Sequence, residues 1–198
     1  MHAGVDDLGR QGRPSAPHPD AIPFHRRLRD ATRDDHEAVD HAFGSLGLDS
    51  RAHYARFLRA HARILPAVEQ SIDPAGLLPG WRGRTADLAA DLAALDIAMP
   101  ESLPFPDATA EAARWGAIYV IEGSRLGGAM LSRGVPAGLP KAYLSATHGP
   151  GGWRRIQAMI DTAADDADAL WHADAIAAAR ATFAAYRTAA TIEDSARG

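Results

Sequence analysis

The chain has 198 residues, of which 46% are hydrophobic and 23% charged, a balance that suits one compact domain. It contains no cysteine, which excludes disulfides, thiolate metal sites and cysteine nucleophiles and leaves histidine and carboxylates to hold any metal. The net charge of −4, with no dense Lys/Arg run, excludes a nucleic-acid footprint; no apolar stretch nears the ~20 residues that span a bilayer and no signal-peptide pattern opens the chain, so the expected compartment is the cytoplasm.

Residues 1–21 are polar, rich in Gly and Pro and without apolar periodicity, and read as a disordered leader. From Pro23, which suits a first helical turn, Leu28, Ala31, Val39, Ala42 and Phe43 recur at helical spacing. A second helix is expected over 50–72, with Asp49 or Ser50 as its N-cap, Tyr54, Phe57, Leu58, Leu65 and Val68 on one face, and a kink at Pro66. After the loop PAGLLPGWRGR, Thr85 is expected to cap a short helix whose stripe is Leu88, Leu92 and Leu95. The prolines of MPESLPFPDA break the chain again.

A helix over about 109–132 then carries YVIEGSRLGGAML, with Gly123, Gly127 and Gly128 in its interior, where each glycine costs roughly 1 kcal/mol against alanine. A long irregular connection leads to two last helices over about 153–170 and 174–190. No alternating strand pattern and no internal repeat appears. The expectation is an all-α single domain of about six main helices over 22–192, followed by a flexible tail at 193–198.

Two features carry chemistry. His36 precedes Val39 by three residues and Phe43 by seven, which points it from the apolar face toward the interior. Asp40, one turn on, is placed to accept the Nδ1 proton and leave Nε2 to a metal, although a core histidine satisfied by that carboxylate fits the same pattern. HEAVDH is not the zinc-hydrolase helix, because Asp40 stands where the second histidine belongs and His41 lies about 140° around. On the next helix, His61 is in register with Phe57 and Leu65 and reads as core or pocket wall, and His53 as surface. Gly123 and Gly127 form a small-x-x-x-small pair, which serves either plain helix packing or a flat ligand laid on bare backbone, with Gly127 and Gly128 kinking the helix over it. An interior histidine on one helix and bare glycine backbone on another suggest a planar cofactor between them, and heme is the foremost candidate.

LRDATRDDHEAVDHAF followed by YVIEGSRLGGAML resembles the heme oxygenase family, and EGSRLGG is most similar to the bacterial branch associated with bacteriophytochromes. The resemblance runs from about Leu28 to Phe183. It implies a multi-helical fold with heme between a proximal helix and a glycine-kinked distal helix. It further implies heme as cofactor and substrate, cleaved to biliverdin, Fe2+ and CO with O2 and external reducing equivalents.

By the same resemblance His36 matches the iron ligand and Asp40 its orienting partner. Gly123, Gly127 and Gly128 match the glycines that leave room above the iron, and Ser124 stands where well-studied members carry the Asp that orders distal water. Arg29 and Arg154 match propionate partners, Tyr119 the propionate edge and Phe183 an aromatic wall. The expected partners are a redox donor such as a ferredoxin or reductase and a bacteriophytochrome receiving biliverdin. A non-catalytic heme-binding or heme-sensing protein of the same fold, and a helical scaffold in which His36 is only core, are the alternative readings.

Overall fold

A computed structural model describes residues 22–196, so the leader expected over 1–21 lies outside the described residues. The fold is all-α, with nine α-helices and no strand among the described residues. In chain order they are α1 (Phe24–Ala31), α2 (Arg33–Gly44), α3 (Arg51–Ala62), α4 (Leu65–Ile72), α5 (Thr85–Ala94), α6 (Glu111–Leu131), α7 (Ala142–Ser145), α8 (Gly152–Asp165) and α9 (Ala169–Ser195).

The count exceeds the expected six because two long helices are broken and a short one sits in the connection. Thr32 interrupts the first, its hydroxyl donating back to Leu28 O at 2.8 Å, a bond that competes with the helical pattern and bends it. Pro66 lies in the first turn of α4, where its missing N–H is harmless, and the carbonyl of Arg63 in the break accepts instead from Leu103 N at 2.6 Å.

Several helix ends are capped across the fold. Ser50 caps α3 by accepting from His53 N. Thr85, expected as a cap, is instead the first residue of α5: Glu69 of α4 takes Arg84 N at 2.6 Å, Thr85 N at 3.1 Å and the Thr85 hydroxyl at 2.6 Å. Asp91 accepts from Ala142 N and Tyr143 N, both at 2.9 Å, and so starts α7. Asp168 caps α9 through Trp171 N, which sets its start earlier than the apolar pattern indicates.

Helix α9 is the floor of the molecule, with α2, α3 and α6 all packed on it. The tightest approach is at Gly116 of α6. A Cβ there would fall inside the contact distance of Ala175 O and 3.0 Å from Ala179 N, so only glycine lets the two backbones meet. Leu58, Leu65, Val68, Leu88, Leu92 and Ile118 are fully buried in the core. At the other end of α9, buried Glu193 pairs with Arg59 at 2.8 Å and Arg63 at 2.6 Å of α3 and its end. This corrects the tail expected from residue 193, because the helix and its contacts continue to Ser195.

Gly116→Ala is therefore expected to lower unfolding stability by about 2–3 kcal/mol, the cost of overpacking against unyielding backbone. Chemical denaturation followed by circular dichroism measures it, and an unchanged midpoint would mean that the α6–α9 crossing can widen.

Candidate heme site

The junction of α1 and α2 is fastened to α9 by one side chain. Arg180 donates to Ala31 O at 2.7 Å and 3.2 Å and lies 3.6 Å from Asp35. Asp34 and Asp35 in the first turn of α2 also suit its positive end. One turn along α9 from Arg180, Phe183 is buried and meets the His36 ring edge-on at a centroid distance of 5.6 Å. The Asp40 carboxylate lies 3.1 Å from His36 Nδ1, which leaves Nε2 as the nitrogen for a metal.

His36 does not point into the interior as its spacing suggests: its side chain is 60% exposed. The reason is that α2 buries only Phe43 fully, with Val39 and Ala42 half-covered, so the helix lies at the edge of the core.

Helix α6 runs unbroken through all three glycines to Leu131, so the expected kink does not interrupt its hydrogen bonding. The glycines differ in their reasons. A Cβ on Gly128 would lie 3.1 Å from Leu144 O, so Gly128 admits the backbone of α7. At Gly123 a Cβ would make ordinary contact with the Trp153 ring at 3.4 Å. At Gly127 it would meet nothing within 4 Å.

Gly127 is exposed in mid-helix, flanked by Leu126 at 53% and Met130 at 73% exposure. By helical geometry Tyr119, Gly123, Leu126, Gly127 and Met130 form one stripe. Farther toward the N-terminus α9 covers that same stripe at Gly116. Tyr119 is half-buried beside Trp153, ring to ring at 5.9 Å; burial raises its phenol pKa, and the charge of Arg29 acts against this, which brings Arg29 to the same end. Arg29 itself is exposed and lies 3.2 Å from Asp30, and Arg154 is exposed on α8 next to Trp153.

The opposite face of α6 is polar and locked. Buried Glu122 accepts from Trp81 Nε1 and Arg125 Nε, both at 2.9 Å, and Arg125 also donates to Ala146 O and Arg82 O. Arg125 thus points away from the open stripe. Ser124 has its hydroxyl engaged, donating to Ile121 O at 2.8 Å and accepting from Arg84 at 2.7 Å.

Pattern reading singles out His61 but misses the company it keeps. Its ring is enclosed by Phe43 at 4.3 Å, Phe57 at 4.5 Å, Tyr143 at 5.0 Å and Tyr186 at 5.8 Å. Nδ1–H donates to Phe57 O at 2.9 Å, and burial pushes the imidazole down to about 3, so it is neutral. Burial likewise raises the phenols of Tyr54, Tyr143 and Tyr186, and the hydroxyls of Tyr54 and Tyr186 have no protein partner. The only sequence signal for this cluster is the spacing of Tyr54, Phe57 and His61; Tyr143 and Tyr186 arrive from distant helices.

The residues present fit heme. Among the described residues no group of three or more His, Asp or Glu side chains is placed to hold a metal, and the exposed His36 Nε2 can offer a single protein ligand to an iron that a porphyrin holds with its own four nitrogens. An apolar stripe with a gap at Gly127 suits a flat face, and Arg29 suits a carboxylate. Two concavities lie elsewhere, about 340 Å³ beside Trp115 and Met159 and about 400 Å³ among Trp81, Arg125 and His148, and neither includes His36.

An all-α protein with an exposed, carboxylate-paired imidazole and a bare-backbone apolar helix face, both mounted on a common floor helix, is the class that fold and site define. No protein-family model matches the chain. It is 39% identical over 151 residues to a heme oxygenase of Xanthomonas campestris pv. campestris (strain 8004), spanning 71% of this chain and 90% of that protein. The crystal structures of NO- and CO-bound heme oxygenase from Neisseria meningitidis share its fold, with a TM-score of 0.75 and 22% identity over 90% of this chain and 96% of that one. The chain belongs to the heme oxygenase family.

Because His61 is held neutral, the unfolded chain takes up a proton below pH 6.5 that the folded chain refuses until about 3. Stability is therefore complete above pH 6.5 and falls as pH drops, by about 2–3 kcal/mol near pH 4.5. His61→Gln is expected to flatten the denaturation midpoint against pH over that window; a parallel curve would show that His61 titrates normally.

Proposed function

We propose that the chain cleaves heme to biliverdin, Fe2+ and CO, with His36 as the iron ligand and the open stripe of α6 as the wall above the ring. The observation that carries this is Gly127, exposed and with no chain atom near its missing side chain, between the exposed apolar side chains of Leu126 and Met130. A helix interior gains nothing within the chain from that residue, whereas a flat ligand lying on the backbone requires it.

Heme, when bound, supplies the redox chemistry, since its iron activates O2 and its own ring is the substrate. The chain's residues do the rest. Asp40 holds the His36 tautomer, and a neutral imidazole ligates without the strong electron push of a thiolate. Phe183 walls the His36 side, Arg29 and Arg154 take the propionates and Tyr119 lines their edge. Gly123, Gly127 and Gly128 keep the opposite wall thin. Neutral His61 and the phenols of Tyr54 and Tyr186 are buried groups able to hold water and pass protons without becoming charged.

Electrons come, as in the family, from a reductase; a small ferredoxin or ferredoxin reductase is the donor we favour. EGSRLGG supports placing the chain in the bacteriophytochrome-associated branch, with biliverdin delivered to such a photoreceptor. No helix among the described residues is long and apolar enough to cross a membrane. One observation favours heme sensing without turnover: the Ser124 hydroxyl is already spent within the chain and offers no carboxylate.

Hemin titration followed by ascorbate in air, with catalase present, separates these readings. The expected result is a 1:1 Soret band that decays to biliverdin and is lost or shifted in His36→Ala. A stable band without product would support sensing, and no specific band would overturn both. Gly127→Ala is expected to stabilise the heme-free protein by about 0.5–1 kcal/mol through helix propensity while weakening hemin binding at least severalfold. Unaltered binding would remove Gly127 from the site.

A further inference from the structure

Arg84 is among the largest fully buried side chains in the protein, and the partners its guanidinium meets are a carbonyl, a hydroxyl and an aromatic ring, with no carboxylate in ion-pair contact among the described residues. Its backbone N–H is taken by Glu69 of α4, whose carboxylate caps the start of α5 and makes no ion pair with the guanidinium. The guanidinium lies over the Tyr143 ring at 5.0 Å, and its Nε has no partner. A buried cation without a direct carboxylate partner is costly to desolvate, so packing alone does not account for it.

The other end of Arg84 shows what it holds. One nitrogen, Nη2, donates to Ile121 O and to Ser124 Oγ, both at 2.7 Å. Ile121 O also accepts from the Ser124 hydroxyl at 2.8 Å and is the helical acceptor for Arg125 N. Three donors on one carbonyl draw it away from the helix axis and weaken its internal bond. The next residues are Gly123 to Gly128, the part of α6 with the least intrinsic helical preference.

We propose that Arg84 is the positioning residue of this glycine segment: it brackets Ile121 O and Ser124 Oγ from the core side and so fixes where the bare backbone of Gly123 and Gly127 lies. Ser124 is its adaptor, engaged on both sides. The consequence for heme rests on the function proposed above, since the segment's position decides which edge of a bound ring is left open. The bracket itself belongs to the heme-free chain.

The test is amide hydrogen exchange on the heme-free protein. Arg84→Met keeps the volume without charge or donors and is expected to speed exchange at Arg125–Gly128 by about tenfold while Ala179–Tyr186 in α9 stay unchanged. Ser124→Ala is expected to do the same more weakly and to add nothing in the double variant. Ser124→Asp should slow exchange when Arg84 is present and speed it when combined with Arg84→Met. Equal acceleration in α6 and α9, or none in the glycine segment, would overturn the proposal and leave Arg84 a general stability residue. Should Arg84→Met fail to fold, Ser124→Ala and Ser124→Asp carry the same comparison.

A second arm loads hemin and measures the biliverdin isomers after turnover. A changed isomer composition in Arg84→Met is expected. If wild-type protein binds no hemin, the proposed function fails while the exchange result stands. If hemin turns over normally and exchange is unaltered, only the bracket fails.

Discussion

The backbone of Gly116 resting on the carbonyl of Ala175 decides where everything else in this protein can be. Helices separated by side chains lie roughly 8–10 Å apart, and removing the side chain at the crossing brings α6 down onto α9. Once α6 is seated there, its stripe is covered on the N-terminal side of Gly123 and open beyond it. Because Arg180 of α9 also clasps Ala31 O and faces Asp35, the same helix sets the height of α2 and places Phe183 beneath His36. The imidazole and the open stripe are therefore two consequences of one floor, not two independently placed parts.

Helix α6 divides its labour by face. On the core side lie Glu122 and Arg125, buried and bonded to Trp81, Arg82 and Ala146, with His148 3.5 Å from the Glu122 carboxylate. Breaking such a network leaves an unpaired buried charge, so it resists rearrangement far more than apolar packing of equal area. That rigidity matters because the other face is built from the residues least able to hold a helix. A glycine-rich wall stays in place only when something else fixes its backbone, and here loops 78–82 and 146–149 do so from behind.

What the sequence reveals follows the range of the interaction. His36 with Asp40 is a same-helix pair, and spacing alone predicts the 3.1 Å approach. Phe183 needs the family resemblance, because no local pattern ties α9 to α2. The glycines are legible as a group but not one by one: periodicity cannot tell that Gly128 admits the backbone of α7, that Gly127 faces no chain atom, or that Gly116, outside the quoted motif, has the strictest need of all. The exposure of His36 escapes the pattern for a related reason. Three apolar neighbours at helical spacing mark a face without saying how deeply that face is buried. Caps supplied by Glu69 and Asp91 from other helices lie beyond any local rule.

Ser124 gains its meaning from the same long-range contacts. A carboxylate at that position would pair with Arg84; with serine, the guanidinium meets only a hydroxyl and the Ile121 carbonyl there. Burial does most to hold His61 down, and the Arg84 charge works in the same direction, whereas burial raises Tyr143 and Tyr186 and Arg84 acts against it. The result at neutral pH is a buried set of neutral donors and acceptors that feels Arg84 together with the nearby charges of Glu69, Glu122 and Arg125. Charges fixed in place by the fold need no reorganisation when a ligand's charge changes beside them. The fixed charge nearest the Ser124 hydroxyl is thus the guanidinium of Arg84, set behind the helix rather than on it.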